Sequence, residues 1–137
     1  MHNVYFSLGS NIGNRKRQIE NAISLLGQRV GCVKAVSSMF ETEPWGFQSN
    51  NKFINACVCC STEFSPRQVL FATQKIEREM GRLQKSVDGV YHDRIIDIDI
   101  LLYDDLTIDE PDLKIPHPMM KKRDFVMIPL REILPNV

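Results

Sequence analysis

Polar and apolar positions divide the chain into segments of two periods. Residues 4–8 (Val-Tyr-Phe-Ser-Leu), 33–41 and 53–62 are rich in β-branched and aromatic residues and read as strands. Between the first two, Gly9-Ser10-Asn11-Ile12-Gly13 reads as a turn and Asn14 as an N-cap. The helix after it runs to about residue 27, with Ile19, Ala22, Ile23, Leu26 and Val30 at helical spacing. Ser65-Pro66-Arg67-Gln68 is a capping box with proline at the first helical position. It opens a second helix whose buried stripe is Val69, Ala72, Thr73, Ile76 and Met80, and Gly81 stops it. Residues 95–103 form a further strand, 107–108 a short edge strand, and 125–134 a last helix interrupted by Pro129. The order strand, helix, two strands, helix, strand predicts an α+β sandwich of ferredoxin-like type, with a mostly antiparallel sheet, helices packed on one face and the other side open. The whole chain, 1–137, reads as a single domain.

The strand at 95–103 carries the candidate chemistry. Side chains alternate along a strand, so Ile96, Ile98, Ile100 and Leu102 share one face. Asp97 and Asp99 share the other with Ile95, Leu101 and Tyr103. The two aspartates lie roughly 6–7 Å apart at Cα and point the same way. Two readings fit. The acids can form structural ion pairs, one with Arg94 and one with a cation on a neighbouring strand. Alternatively they hold Mg²⁺, which takes oxygen ligands and prefers one or two carboxylates plus substrate phosphates. Apolar flanks and the adjacent arginine favour the second.

Composition narrows the classes. The formal net charge is zero, so no global field draws in nucleic acid or an acidic membrane. No apolar run approaches the ~18 residues of a membrane span, and the N-terminus lacks the basic start of a signal peptide. These features point to a cytoplasmic protein. Four cysteines fit that compartment as reduced thiols. Cys57 and Cys60 are formally a C-x-x-C, but they lie in a strand rather than at the helix N-terminus that redox pairs use.

Loops supply the remaining candidates. Residues 42–51 are polar and broken by Pro44 and Gly46, with Trp45 and Phe47 able to pack back on the domain or to cover a planar ligand. Asn55 is an amide inside an apolar strand, where it bonds to backbone or reads the edge of a heterocycle. Arg82, Lys85 and Arg94 are each ordinary surface charges. Together they bracket the acids and suit clamps on phosphate. Gly9 to Gly13 lacks the spacing and lysine of a P-loop. His117, between two prolines, is held on a stiff loop.

Taken together these residues resemble the 6-hydroxymethyl-7,8-dihydropterin pyrophosphokinases of folate biosynthesis. The matching pieces are Leu8-Gly9-Ser10-Asn11 with Gly13; Thr42-x-Pro44-x-Gly46; Phe53-x-Asn55-Ala56; Gln74-x-x-Glu77; Gly81-Arg82-x-x-Lys85; Asp93-Arg94-x-x-Asp97-x-Asp99-Ile100; and Pro116-His117 followed by Arg123-x-Phe125. The resemblance implies transfer of the terminal two phosphates of ATP, as one unit, to the pterin's hydroxymethyl oxygen, with AMP leaving. It implies that Asp97 and Asp99 bind two Mg²⁺ ions and that Arg82 and Arg94 neutralise charge on the transferring group. Thr42, Pro44, Trp45, Phe53, Asn55 and Phe125 are expected to hold the pterin. Gln74, Glu77, Arg82, Lys85, Arg94, Ile100, His117 and Arg123 are expected on the ATP side. The partners expected are the two substrates, with no nucleic acid or membrane, and the protein is expected to be a monomer. The chain departs from the family's usual pattern at Tyr91, where tryptophan is common, at Pro118, and at Asp112 and Lys114 on the nucleotide side. It also ends sooner than some members. A nucleotidyl transferase or cyclase, which would release pyrophosphate, and a turnover-free sensor of small molecules are the rival readings.

Overall fold

The computed structural model describes residues 1–43, 51–81 and 95–137. Pro44, Trp45, Phe47, Arg82, Lys85, Tyr91 and Arg94 lie outside the described residues.

Strand β1 (His2–Ser10) is followed by helix α1 (Arg15–Arg29), whose N-cap Asn14 accepts the Arg17 amide through its side chain at 3.2 Å. Strands β2 (Cys32–Val36), β3 (Phe40–Thr42) and β4 (Phe53–Thr62) lead to helix α2 (Pro66–Glu79). Both halves of the expected capping box form: the Ser65 hydroxyl accepts the Gln68 amide, and the Gln68 side chain accepts the Ser65 amide. Gly81 closes that helix region at φ +103°, a conformation open to glycine. Then come β5 (Asp97–Tyr103), the hairpin of β6 (Ile108–Glu110) and β7 (Leu113–Ile115), a 3-10 turn (Met120–Lys122) and helix α3 (Asp124–Ile133).

The main sheet runs β2-β4-β1-β5, with β3 also paired to β4, and every pairing is antiparallel. This is the expected ferredoxin-like order. On one face Val4, Phe6 and Leu8 of β1, Ala56, Val58 and Cys60 of β4, and Ile98 and Ile100 of β5 meet Ile19, Ala22 and Leu26 of α1 and Val69 and Ile76 of α2. Each valine, leucine, isoleucine and phenylalanine among them contributes about 1.5–3 kcal/mol by leaving water. No helix of the described residues is long and apolar enough to cross a membrane.

Four features differ from the sequence expectation. β1 continues through Gly9 and Ser10, which pair with Asn55 and Ile54, so these residues are strand rather than turn. The expected strand over 33–41 is split. The Ser37 hydroxyl accepts the Cys57 amide at 2.8 Å and donates to the Ser38 carbonyl at 2.8 Å, and the Ser38 amide goes to the Glu132 carboxylate at 2.7 Å. The Ser37 hydroxyl and the Glu132 carboxylate thereby replace ladder bonds at the break.

The third difference is a bulge in β5. Phe6 pairs with Ile100 while Tyr5 pairs with Leu102, leaving Leu101 as an extra residue. Ile96, Ile98 and Ile100 keep the expected helix-side face. Beyond the bulge the alternation inverts: Tyr103 joins the helix-side core and Leu102 turns to the opposite face, where Leu101 stays as expected. Asp97 and Asp99 precede the bulge and keep the side expected of them.

Lastly, α3 packs on that opposite face. It covers Tyr5, Cys57, Leu101 and Leu102 with Val126, Met127 and Leu130. The helix runs on through buried Pro129, which has no N–H to give the Phe125 carbonyl one turn back.

The C-x-x-C does not form a unit. Cys57 belongs to the cluster under α3 and Cys60 to the core under α1 and α2, so the sheet lies between them. All four cysteines are free. Burial, with the nearby Glu132 charge, pushes the Cys57 thiol up to about 12. Burial, with Cys59 and Cys32, pushes Cys60 up to about 12. Thiolate is the reactive form. Brief iodoacetamide treatment at pH 8 is therefore expected to label exposed Cys32 and spare Cys57 and Cys60, as read by peptide mass spectrometry. Rapid labelling of either buried thiol in native protein would contradict this packing.

Candidate active site

Strand register brings the expected site residues into rows on the face opposite α1 and α2. Gly9 pairs with Asn55 on one side and Asp97 on the other. One step along, Ser7 pairs with Cys57 and Asp99. Directly opposed cross-strand side chains lie about 5 Å apart. Asn55 and Asp97 are therefore two such steps apart, roughly 10 Å, with only a glycine between them. Because α3 covers the Tyr5 and Cys57 end of this face, its remaining part is the end where β1 finishes and β4 and β5 begin.

On β4, Phe53 is 8% exposed and pairs with Thr42, the last residue of β3. The Asn55 side chain is 3% exposed, and its amide Nδ2 donates to the Thr42 hydroxyl at 2.6 Å. That bond fixes the carboxamide with its oxygen turned toward Gly9, where an added Cβ would meet Oδ1 at 3.1 Å. Phe125 sits half-buried on the first turn of α3, and Arg123 stacks on it with the guanidinium carbon 5.6 Å from the ring centroid. Thr42, Phe53 and Asn55 thus lie together on β3 and β4, and α3, which carries Phe125, packs against both strands.

Asp97 and Asp99 are half-buried on either side of Ile98. Two arrangements hold their strand. Glu77 of α2 is 3% exposed, and its Oε2 accepts the Ile98 amide at 2.8 Å, so a buried carboxylate caps the outer edge of β5 between the two acids. Gln18 of α1, with its amide oriented by the surrounding hydrogen bonds, donates to the Ile95 carbonyl at 2.6 Å and to the Ile12 carbonyl at 3.0 Å. Sequence reasoning missed Gln18. Its position on the flank of an otherwise apolar helix stripe carried no special signal.

The other ATP-side residues come from α2, from the loop after β7 and from the start of α3. Gln74 is half-buried one turn before Glu77. His117 docks onto β5 through its amide, which donates to the Leu101 carbonyl at 2.9 Å, and its Nδ1 accepts the Met119 amide at 3.2 Å. That acceptance assigns the ring proton of neutral His117 to Nε2. Arg123 is buried where α3 begins. Ile100 is 7% exposed and packs in the helix-side core, so any contact it makes with a ligand is confined to its backbone. Asp112 and Lys114 stand in surface ion pairs, with Arg67 at 2.7 Å and Asp109 at 2.5 Å.

Among the described residues no group of three or more His, Cys, Asp and Glu side chains is placed to hold a metal. The acid set at the site is a carboxylate pair. Such a pair suits Mg²⁺, which keeps waters and takes phosphate oxygens, better than a metal that needs an all-protein cage.

A ferredoxin-like sandwich with paired acids on an edge strand, beside an aromatic and amide pocket, has the layout of a small α+β phosphoryl-transfer enzyme. A solved Plasmodium falciparum HPPK-DHPS chain has the same fold, with a TM-score of 0.80 over 98% of this chain at 17% identity. This chain spans 40% of that one. The model of the 7,8-dihydro-6-hydroxymethylpterin-pyrophosphokinase family (HPPK) matches residues 5–135, and the chain belongs to that family. It is 50% identical over 133 residues to a protein of Porphyromonas gingivalis, covering 96% of this chain and 90% of the relative. It is 41% identical over 137 residues to one of Aquifex aeolicus, covering 100% of this chain and 83% of the relative. Both relatives are named 2-amino-4-hydroxy-6-hydroxymethyldihydropteridine pyrophosphokinase.

Proposed function

We infer that the face bearing Asn55, Gly9 and Asp97 is where pyrophosphate changes hands. Family membership carries the reaction itself: the enzyme moves the terminal pyrophosphoryl group of ATP to the hydroxymethyl oxygen of 6-hydroxymethyl-7,8-dihydropterin in folate synthesis. AMP is the product left behind. The observation that carries the placement is the shared row in which Gly9 links Asn55 of β4 to Asp97 of β5.

In this reading Asn55, its nitrogen committed to Thr42, presents Oδ1 to the donor edge of the pterin. Phe53 and Phe125 hold the ring between apolar surfaces, with Pro44 and Trp45 completing the pocket. Asp97 and Asp99 hold Mg²⁺, two ions in the full complex, which would supply charge neutralisation at the phosphates and a lowered barrier to displacement. Arg82, Lys85 and Arg94 bind phosphate oxygens and steady the transferring group. Gln74, His117 and Arg123 bound the nucleotide along the outer edge of β5. Glu77 stands behind that edge and keeps the acids in register. Residues 1–137 act as one pyrophosphokinase domain, a reading supported by the single main sheet, and the protein acts as a monomer.

Incubation with ATP, Mg²⁺ and 6-hydroxymethyl-7,8-dihydropterin tests this, with products resolved by chromatography. AMP and the pterin diphosphate are expected in equal amounts. Free pyrophosphate with an adenylylated pterin would favour the nucleotidyl transferase reading, and ligand binding without turnover would favour the sensor.

A further inference from the structure

Gly9 lies in mid-sheet, where glycine is a poor choice: it adds no side chain to the packing and weakens a strand. Its φ is not in the left-handed region, where Gly13 and Gly81 are found, so backbone conformation does not call for it. Leu8 and Ser10 turn into the core, and position 9 therefore points to the open face. What requires glycine is space. A Cβ there would stand 3.1 Å from Asn55 Oδ1 and 3.4 and 3.8 Å from two ring carbons of Phe53. Both neighbours are nearly buried, and Asn55 is tied to Thr42, so neither can give way cheaply.

We propose that Gly9 is a specificity-determining position of the acceptor site. Its missing side chain lets the Asn55 carboxamide oxygen and the Phe53 ring lean over β1. It also leaves a flat floor between them and Asp97, along which a planar bicyclic heterocycle extends its hydroxymethyl arm toward the acids. A methyl group at this position lifts the ring and turns Asn55 away from its edge. The proposal rests on the pterin-site reading above. It concerns only the acceptor, because the nucleotide-side residues come from α2, from the loop after β7 and from the start of α3.

The test compares Gly9→Ala with Asn55→Ala and wild type, measuring kcat, the KM values of pterin and MgATP, and Tm. For Gly9→Ala the pterin KM is expected to rise about ten-fold or more, with the ATP KM held within about two-fold and the protein folded. A pterin KM within about two-fold of wild type overturns the proposal, as does a parallel rise in both KM values. An unfolded Gly9→Ala chain also overturns it, because the fold rather than the site would then need the glycine. Asn55→Ala separates the two levels. Lost pterin affinity there, with Gly9→Ala unaffected, sinks the inference alone, whereas unchanged pterin affinity in Asn55→Ala sinks the acceptor-site reading beneath it.

Discussion

Asp97→Ala is expected to lower turnover by roughly a thousand-fold or more, since a bound cation's charge stabilisation amounts to several kcal/mol. The fold is expected to survive. Asp97 opens an edge strand, its side chain is half-buried on the face away from α1 and α2, and the core of β5 is made by Ile98, Ile100 and Tyr103. The melting temperature should therefore stay near the wild-type value. AMP formation followed by chromatography, with a circular-dichroism melt, checks both halves. Wild-type rates would remove the acid pair from the chemistry, and a collapsed fold would make Asp97 structural.

The second large effect belongs to Glu77. Its buried carboxyl oxygen accepts the Ile98 amide at 2.8 Å, and leaving such a buried donor unsatisfied costs about 1–3 kcal/mol. In Glu77→Ala the amide loses that acceptor, the edge of β5 loosens, and Asp97 and Asp99 lose their fixed spacing. The expected result is a Tm lower by several degrees together with a kcat lower by roughly ten-fold or more. Glu77→Gln keeps a carbonyl oxygen in place and is expected to recover most of the stability. Substrate constants decide between anchor and ligand. An anchor lowers kcat with the ATP KM within about two-fold, whereas a nucleotide contact raises that KM and leaves Tm unchanged.

Local chemistry made much of the fold legible. The capping box at Ser65 and Gln68, the Asn14 cap and the run 53–62 all depend on neighbours in sequence, and each forms as read. The break at Ser37 and the bulge at Leu101 depend on partners far along the chain. Ser37 is compatible with a strand until the Cys57 amide takes its hydroxyl, and Leu101 is apolar on whichever face it lands. Helical periodicity could show that α3 has an apolar side, not which sheet face it covers. A signal was nevertheless present. Tyr5, Cys57 and Leu101 put apolar groups on the face expected to be open, and such a surface needs a cover.

The site divides in the same way. Alternation on a strand was enough to place Asp97 and Asp99 on one side, and the bulge lies beyond them. The same alternation put Ile100 on the helix side with Ile96 and Ile98, but it could not show that Glu77 reaches backbone, since that depends on how α2 lies against β5. Gly9 reads from the sequence as part of a turn, because a glycine beside serine and asparagine looks like one. Its meaning comes only from the strands on either side.

The most direct measurement is a crystal grown with a non-hydrolysable ATP analogue and Mn²⁺ in place of Mg²⁺, with the metal located by anomalous scattering. The account predicts metal peaks about 2.0–2.2 Å from carboxylate oxygens of Asp97 and Asp99, bridged to the analogue's phosphates. Nucleotide bound with both carboxylates held by arginine or lysine, and the metal elsewhere, would contradict it.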